Sequence, residues 1–283
     1  MQRSPAWYDE QYNNRARIPD HPAILEHWAE ASARALESSP GLREIAYGEG
    51  LGERLDVFPA ARAGSPVLVY IHGGYWRALG KRDQSFVAPP FVEAGAMVVL
   101  PGYALCPIVS VEHIVLQMVR ALAWVHRHAG EFGGDARRIV VAGHSAGGHL
   151  ATMLLACDWR RVAPDLPADL VKAALSISGL YELEPLRHAP FLAPDLKLSA
   201  ASARRLSPAL FPAPRSGSLV TVVGGDESAE FHRQAALISQ AWGAAVIGAE
   251  CAGQRNHMNV LHGLAEPESA THRWGLRLLG LQR

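Results

Sequence analysis

The chain is expected to form an α/β fold: a mostly parallel sheet with helices on both faces and a helical, lid-like insertion. Three observations carry that expectation. From Val67 onward, short apolar runs alternate with amphipathic segments. Arg138–Leu150 reads as a strand, a tight turn Gly143-His-Ser-Ala-Gly147, and a helix. Finally, His72-Gly-Gly-Tyr-Trp76 directly follows the continuous apolar run Val67–Ile71, the signature of a strand buried on both faces.

Taken in order, residues 1–20 are polar and aromatic without periodicity. Helical spacing begins at His21 and lasts to Leu36, with Ile24, Trp28 and Ala31 near one face. Arg43–Tyr47 and Arg54–Phe58 read as strands joined around Gly48–Gly52 in a hairpin-like connection. Further strands are expected at 67–71, 96–100, 139–142, 173–177, 219–223 and 245–249. A long helix is expected over 109–128, another after Ser145, one starting near Ser228, and a last one over 266–279. Residues 181–214, rich in Pro and Leu, interrupt the rhythm and are read as a probable lid; residues 1–40 form an N-terminal helical segment that could join it. The whole of 1–283 is read as a single domain.

Composition excludes several classes. Hydrophobic residues make up 49% and charged ones 19%, ample for a buried core. Basic and acidic residues balance at 27 each, which argues against a nucleic-acid surface or an electrostatic membrane anchor. Cys106, Cys157 and Cys251 form neither a disulfide framework nor a metal spacing. The N-terminus lacks an apolar signal region, and a cytoplasmic protein is expected. Oligomeric state is open, a homodimer included.

The turn at 143–147 suits a nucleophile. It holds Ser145 in a strained backbone conformation at the strand end and aims the Ala146 amide at developing negative charge. A serine hydroxyl needs a base to take its proton. In folds with such an elbow the order is serine, carboxylate, histidine. Asp226, after the run Leu219–Val223 and the pair Gly224-Gly225, is the preferred carboxylate, with the adjacent Glu227 as fallback; His257 is the base. Gly73, Gly74 and Tyr75 make the oxyanion loop, the amides of Gly74 and Tyr75 joining that of Ala146 as donors. Tyr75, Trp76 and His144 are candidates to border the substrate pocket. His72 is read as a brace of the loop, His144 as nearer scaffold than chemistry, and His262 as structural. Arg77 is either a partner for a substrate carboxylate or a surface charge.

These residues together resemble the α/β-hydrolases of the hormone-sensitive-lipase-like group, and more narrowly the kynurenine formamidase (arylformamidase) family. The resemblance rests on His72–Trp76, Gly143–Leu150, Gly225–Phe231 and Asn256-His257, with Tyr12–Arg15 and Ser178–Pro185 in support. It implies cofactor-free hydrolysis of N-formyl-L-kynurenine to kynurenine and formate, with no metal. Met258 departs from the aromatic residue of relatives and changes the pocket beside His257. A short-acyl carboxylesterase of the same fold is the alternative; a non-catalytic binder is disfavoured because every triad member is present.

Overall fold

The computed structural model describes residues 3–282; Met1, Gln2 and Arg283 of the expected 1–283 unit lie outside the described residues. One sheet holds β1 (Leu42–Ala46), β2 (Arg54–Phe58), β3 (Ser65–Ile71), β4 (Met97–Pro101), β5 (Gly134–His144), β6 (Val171–Ile177), β7 (Ser218–Gly224) and β8 (Val246–Ala252). Their spatial order is β1-β2-β4-β3-β5-β6-β7-β8. β1, β2 and β4 pair antiparallel, and every neighbour from β4 across to β8 is parallel.

The apolar runs are continuous because both faces are covered. In β3, Val67, Val69 and Ile71 pack against one core, with Ile114, Met118 and Leu122 of helix Val111–His128 and Leu150 of helix Ala146–Leu155. Leu68 and Tyr70 point to the opposite core, with Trp28 of helix His21–Ser38, Phe91, Leu264 and Leu279. The period-2 alternation of a strand therefore distributes one apolar run between two cores. Each such side chain contributes about 1.5–3 kcal/mol on full burial.

Boundaries differ from expectation where local chemistry is decisive. The long helix starts at Val111, not 109, because Ser110 caps it, its side chain accepting from the His113 amide at 3.1 Å. The last helix does not begin at 266. Pro267 ends a short turn His262–Ala265, and Ser269 then caps the helix Ala270–Leu279. Helical structure over Lys81–Glu93 has no counterpart in the sequence reading. It is held by polar contacts that leave no periodic trace: buried Lys81 pairs with Asp56 at 2.8 Å, and Ser85 donates to the Lys81 carbonyl. The 181–214 segment has no strand, as expected, and sinks Leu183, Leu186, Leu192 and Leu206 into the first core.

Sheet order turns around between β3 and β5, since the chain goes outward to β4 from one and to β6 from the other. Ligands of open α/β sheets bind outside the carboxyl ends of the strands at such a point. The His72 loop leaves β3 there, Ser145 leaves β5, and the segments after β7 and β8 bring Glu227 and His257 to the same edge.

Besides His257, three imidazoles are buried along this edge. His72 donates from Nδ1 to the Gly73 carbonyl, His144 from Nε2 to the His257 carbonyl and His149 from Nε2 to the Leu206 carbonyl, at 2.7–2.8 Å. Burial pushes their pKa values down to about 4, 3 and 4; the neighbouring His257 lowers that of His144 further. The unfolded chain, titrating near the ordinary 6.5, takes up these protons first. Stability should therefore be full above about pH 6.5 and fall toward pH 4, by about 1 kcal/mol per pH unit for each histidine. Urea unfolding at pH 7.5, 6 and 5 checks this, and His149→Gln should flatten the slope; a slope identical to wild type would contradict the assignment.

Candidate active site

Ser145 sits between β5 and its helix at φ 56°, ψ −115°, a conformation that non-glycine residues rarely adopt. The flanking glycines make it feasible. A Cβ on Gly147 would lie 2.0 Å from the Ile71 carbonyl oxygen, and one on Gly143 2.3 Å from that of Gly147. Helix and sheet can meet this closely only without side chains there. The Ser145 amide is fixed by the Ile177 carbonyl of β6 at 2.8 Å.

His257 faces the serine: Nε2 lies 3.0 Å from Ser145 Oγ, and Nδ1 lies 2.6 Å from Glu227 Oε2. A carboxylate can only accept, so Nδ1 carries the proton and Nε2 receives the serine hydroxyl hydrogen. Here the expectation for Asp226 is corrected. Asp226 is exposed at the tip of the turn after β7, whereas the Glu227 side chain is fully buried. The turn closes through the Glu227 amide onto the Gly224 carbonyl, which folds Glu227 back over the strand end. Its Oε1 then accepts from the Gly224 amide at 2.7 Å and the Ser178 hydroxyl at 2.5 Å. Three donors thus converge on one carboxyl group, and its orientation is determined before any substrate arrives.

The loop after β3 is strained in its turn. Gly74, Tyr75 and Trp76 all have positive φ, at 110°, 50° and 56°. Among the described residues, the backbone amides of Gly74, Tyr75 and Ala146 donate to no protein acceptor. Gly73 belongs to the loop without offering a free donor, because its amide donates to Gln84 Oε1 at 3.3 Å, alongside the Tyr70 hydroxyl at 2.6 Å. Trp76 departs from expectation. The left-handed backbone turns it inward, where it is fully buried and meets the His149 ring edge-on at 5.0 Å. His72 braces the loop, stacked on Tyr103 at 4.1 Å, whose hydroxyl donates to the His72 carbonyl.

A cavity of about 290 Å³ opens over Ser145 and His257. That is at the small end of the range for ligand sites, roughly 300–1,000 Å³. Tyr75 and His144 border it, and much of the rest of its wall comes from the N-terminal and 181–214 segments, to which the sequence reading gave no site residue. Asn14, Arg15 and Trp28 come from the N-terminal segment, Phe191 and Asp195 from the 181–214 segment, and Arg77 from the loop after β3. Tyr12 draws the N-terminal segment in. It is buried, its hydroxyl donates to Glu230 at 2.6 Å, and its carbonyl accepts from the Tyr75 hydroxyl at 2.7 Å. Trp28 donates from its indole to His262 at 2.9 Å, the structural part expected of that histidine. Met258 fills the place beside His257 at the cavity wall.

Comparison with known proteins agrees with this architecture. A family model described as alpha/beta hydrolase fold matches residues 68–211. A kynurenine formamidase of Salmo salar is 33% identical over 82% of this chain and 78% of its own, and one of Danio rerio is 29% identical over 99% and 95%. Among solved structures, a Silicibacter protein provisionally described as a thioesterase superposes with a TM-score of 0.81 at 31% identity, covering 92% of this chain and 95% of its own. No helix among the described residues is long and apolar enough to cross a membrane. By fold and by relatedness, the chain belongs to the kynurenine formamidase family and is a hydrolase of the α/β-hydrolase fold acting on small acyl substrates.

Proposed function

We propose that the protein hydrolyses N-formyl-L-kynurenine to L-kynurenine and formate, with Ser145, His257 and Glu227 as its catalytic triad. The observation that carries this reading is the unbroken relay from Ser145 Oγ through His257 to the buried Glu227 carboxylate, at 3.0 and 2.6 Å. It opens into a cavity of a size for a formyl group on one aryl ring.

The steps follow from the geometry. Ser145 Oγ attacks the formyl carbon as its proton passes to His257 Nε2, and Glu227 holds the resulting imidazolium in place. The amides of Gly74, Tyr75 and Ala146 stabilise the oxyanion, each donor being worth about 3–4 kcal/mol. The carbon–nitrogen bond then breaks as His257 returns the proton to the aryl nitrogen, and the amine leaves. A water, deprotonated by the same imidazole, attacks the formyl ester of Ser145 and releases formate and the free serine. His144 takes no proton in this scheme, because burial keeps it neutral at any working pH. The aryl ring would lie among Tyr75, Phe191 and Trp28; Tyr75 and Phe191 already meet edge to face at 5.7 Å.

A short-acyl ester or thioester substrate is the second reading, favoured by the description of the Silicibacter relative. The two are separated by kcat/KM on N-formyl-L-kynurenine and on p-nitrophenyl acetate, with Ser145→Ala as blank. Deformylation as the faster reaction, lost in the variant, is the expected result; ester cleavage with negligible deformylation would leave the triad and remove the substrate.

The choice of carboxylate has its own test. Glu227→Gln should lower kcat by about 10⁴-fold, because the amide favours the wrong imidazole tautomer. Asp226→Asn, at an exposed turn tip, should stay within about twofold of wild type. Equal losses in the two variants would return the role to Asp226.

A further inference from the structure

The cavity wall is mostly aromatic, apolar or amide, and its charged members are Arg15, Arg77 and Asp195. Arg77 and Asp195 form a close ion pair, Nη1 donating to Oδ2, with side chains 29% and 35% exposed. They come from different segments of the chain, Arg77 from the loop after β3 and Asp195 from the short helix Ala193–Leu196. The guanidinium lies 5.5 Å above the Phe191 ring, which limits its freedom. Only Nη1 and Oδ2 are engaged; among the described residues the other guanidinium donors and Asp195 Oδ1 have no hydrogen-bond partner.

Half-solvated ion pairs add roughly 0–1 kcal/mol to stability, so folding alone does not account for placing one in the wall of this pocket. What the pair offers is an oriented cation beside an oriented anion, each with unused valences. An α-amino acid presents the complementary arrangement, with carboxylate and ammonium on one carbon. We propose that Arg77 and Asp195 form the subsite for the zwitterionic amino-acid end of the substrate. Arg77 receives the carboxylate through the donors that Asp195 leaves free. Asp195 accepts the ammonium through Oδ1. Phe191 lies under the Arg77 guanidinium and meets Tyr75 edge to face in the wall of the cavity that holds Ser145, and an aryl ring bridging the two ends would pack against them. The inference deepens the formamidase reading and rests on it for the position of the acyl group.

The test is the ratio of kcat/KM on N-formyl-L-kynurenine to that on 2′-formamidoacetophenone, which keeps the aryl formamide and lacks the amino-acid arm. Wild type should favour the former by roughly tenfold to a hundredfold. Arg77→Leu and Asp195→Asn should each collapse that ratio, mainly through KM, and Arg77→Lys should restore part of it. A ratio unchanged in both variants, or lost instead in Arg15→Ala, would overturn the assignment. The formamidase reading can fail separately, if wild type cleaves p-nitrophenyl acetate and neither formamide. L-kynurenine should then still inhibit ester cleavage more strongly than 2-aminoacetophenone, and Arg77→Leu should erase the difference; equal inhibition in wild type would dispose of the subsite as well.

Discussion

The site depends on one close approach of backbone to backbone. Helix Ala146–Leu155 meets the end of β3 so tightly that Gly147 has no space for a single methyl group beside the Ile71 carbonyl. That contact sets the height of the helix on the sheet and with it the left-handed conformation of Ser145. Strain of this sort, about 1–3 kcal/mol, persists only where surrounding structure over-determines it. Here the bond from the Ser145 amide to Ile177 and the core beneath Leu150 supply that determination. The other parts are placed relative to this fixed point: the amides of Gly74 and Tyr75 on the neighbouring loop, and His257 3.0 Å away.

Much of this was legible in the sequence, for identifiable reasons. Residues 139–142 and 67–71 are apolar throughout because both faces of their strands are covered, and such runs are hard to mistake. The glycines of 143–148 and the histidine after the last strand follow from what a nucleophile turn requires. The choice between Asp226 and Glu227 was not available at that level. Both follow the same strand, and the outcome hinges on a turn that buries one neighbour and exposes the other, set by Gly224 and Ser178. Trp76 was a candidate pocket residue because an aromatic beside the oxyanion loop could narrow the acyl pocket and stack on an aryl ring. Two consecutive positive φ values reverse it, and these have no signature in a non-glycine pair. The Gly73 amide is taken up by Gln84, a buried polar contact eleven positions on that no periodicity announces. The side chains of Asn14, Trp28, Phe191 and Asp195 were beyond reach for a simpler reason: they meet only in three dimensions.

The division of labour in the cavity is therefore topological. Its floor, where bonds would be made and broken, is built by residues at the carboxyl edge of the sheet, on rigid strand ends. Its walls belong to the N-terminal segment and to 181–214, held on by Tyr12 and by the leucines beneath. Elements of this second kind can vary in sequence without disturbing the relay at Ser145. A family can thus keep one chemistry while its members accept different acyl compounds, in keeping with relatives that carry formamidase and thioesterase descriptions.

The hydrogen bond from Tyr75 to the Tyr12 carbonyl has a consequence for how the molecule comes into being. Residues near one end of the chain finish a cavity whose base, His257, comes from near the other, and Tyr12 bonds Glu230 across 218 positions. A chain emerging from the ribosome can assemble the early strands and even the strained serine turn long before His257 exists. Such a fragment holds Ser145 without a proton acceptor and an N-terminal segment with nothing to dock on. On the proposed mechanism, reactivity would therefore arrive only once the last strand and its histidine have joined the sheet. On that mechanism a chain stopped or clipped before His257 would be a hydrolase in outline only, with no means of attacking the acyl compounds around it.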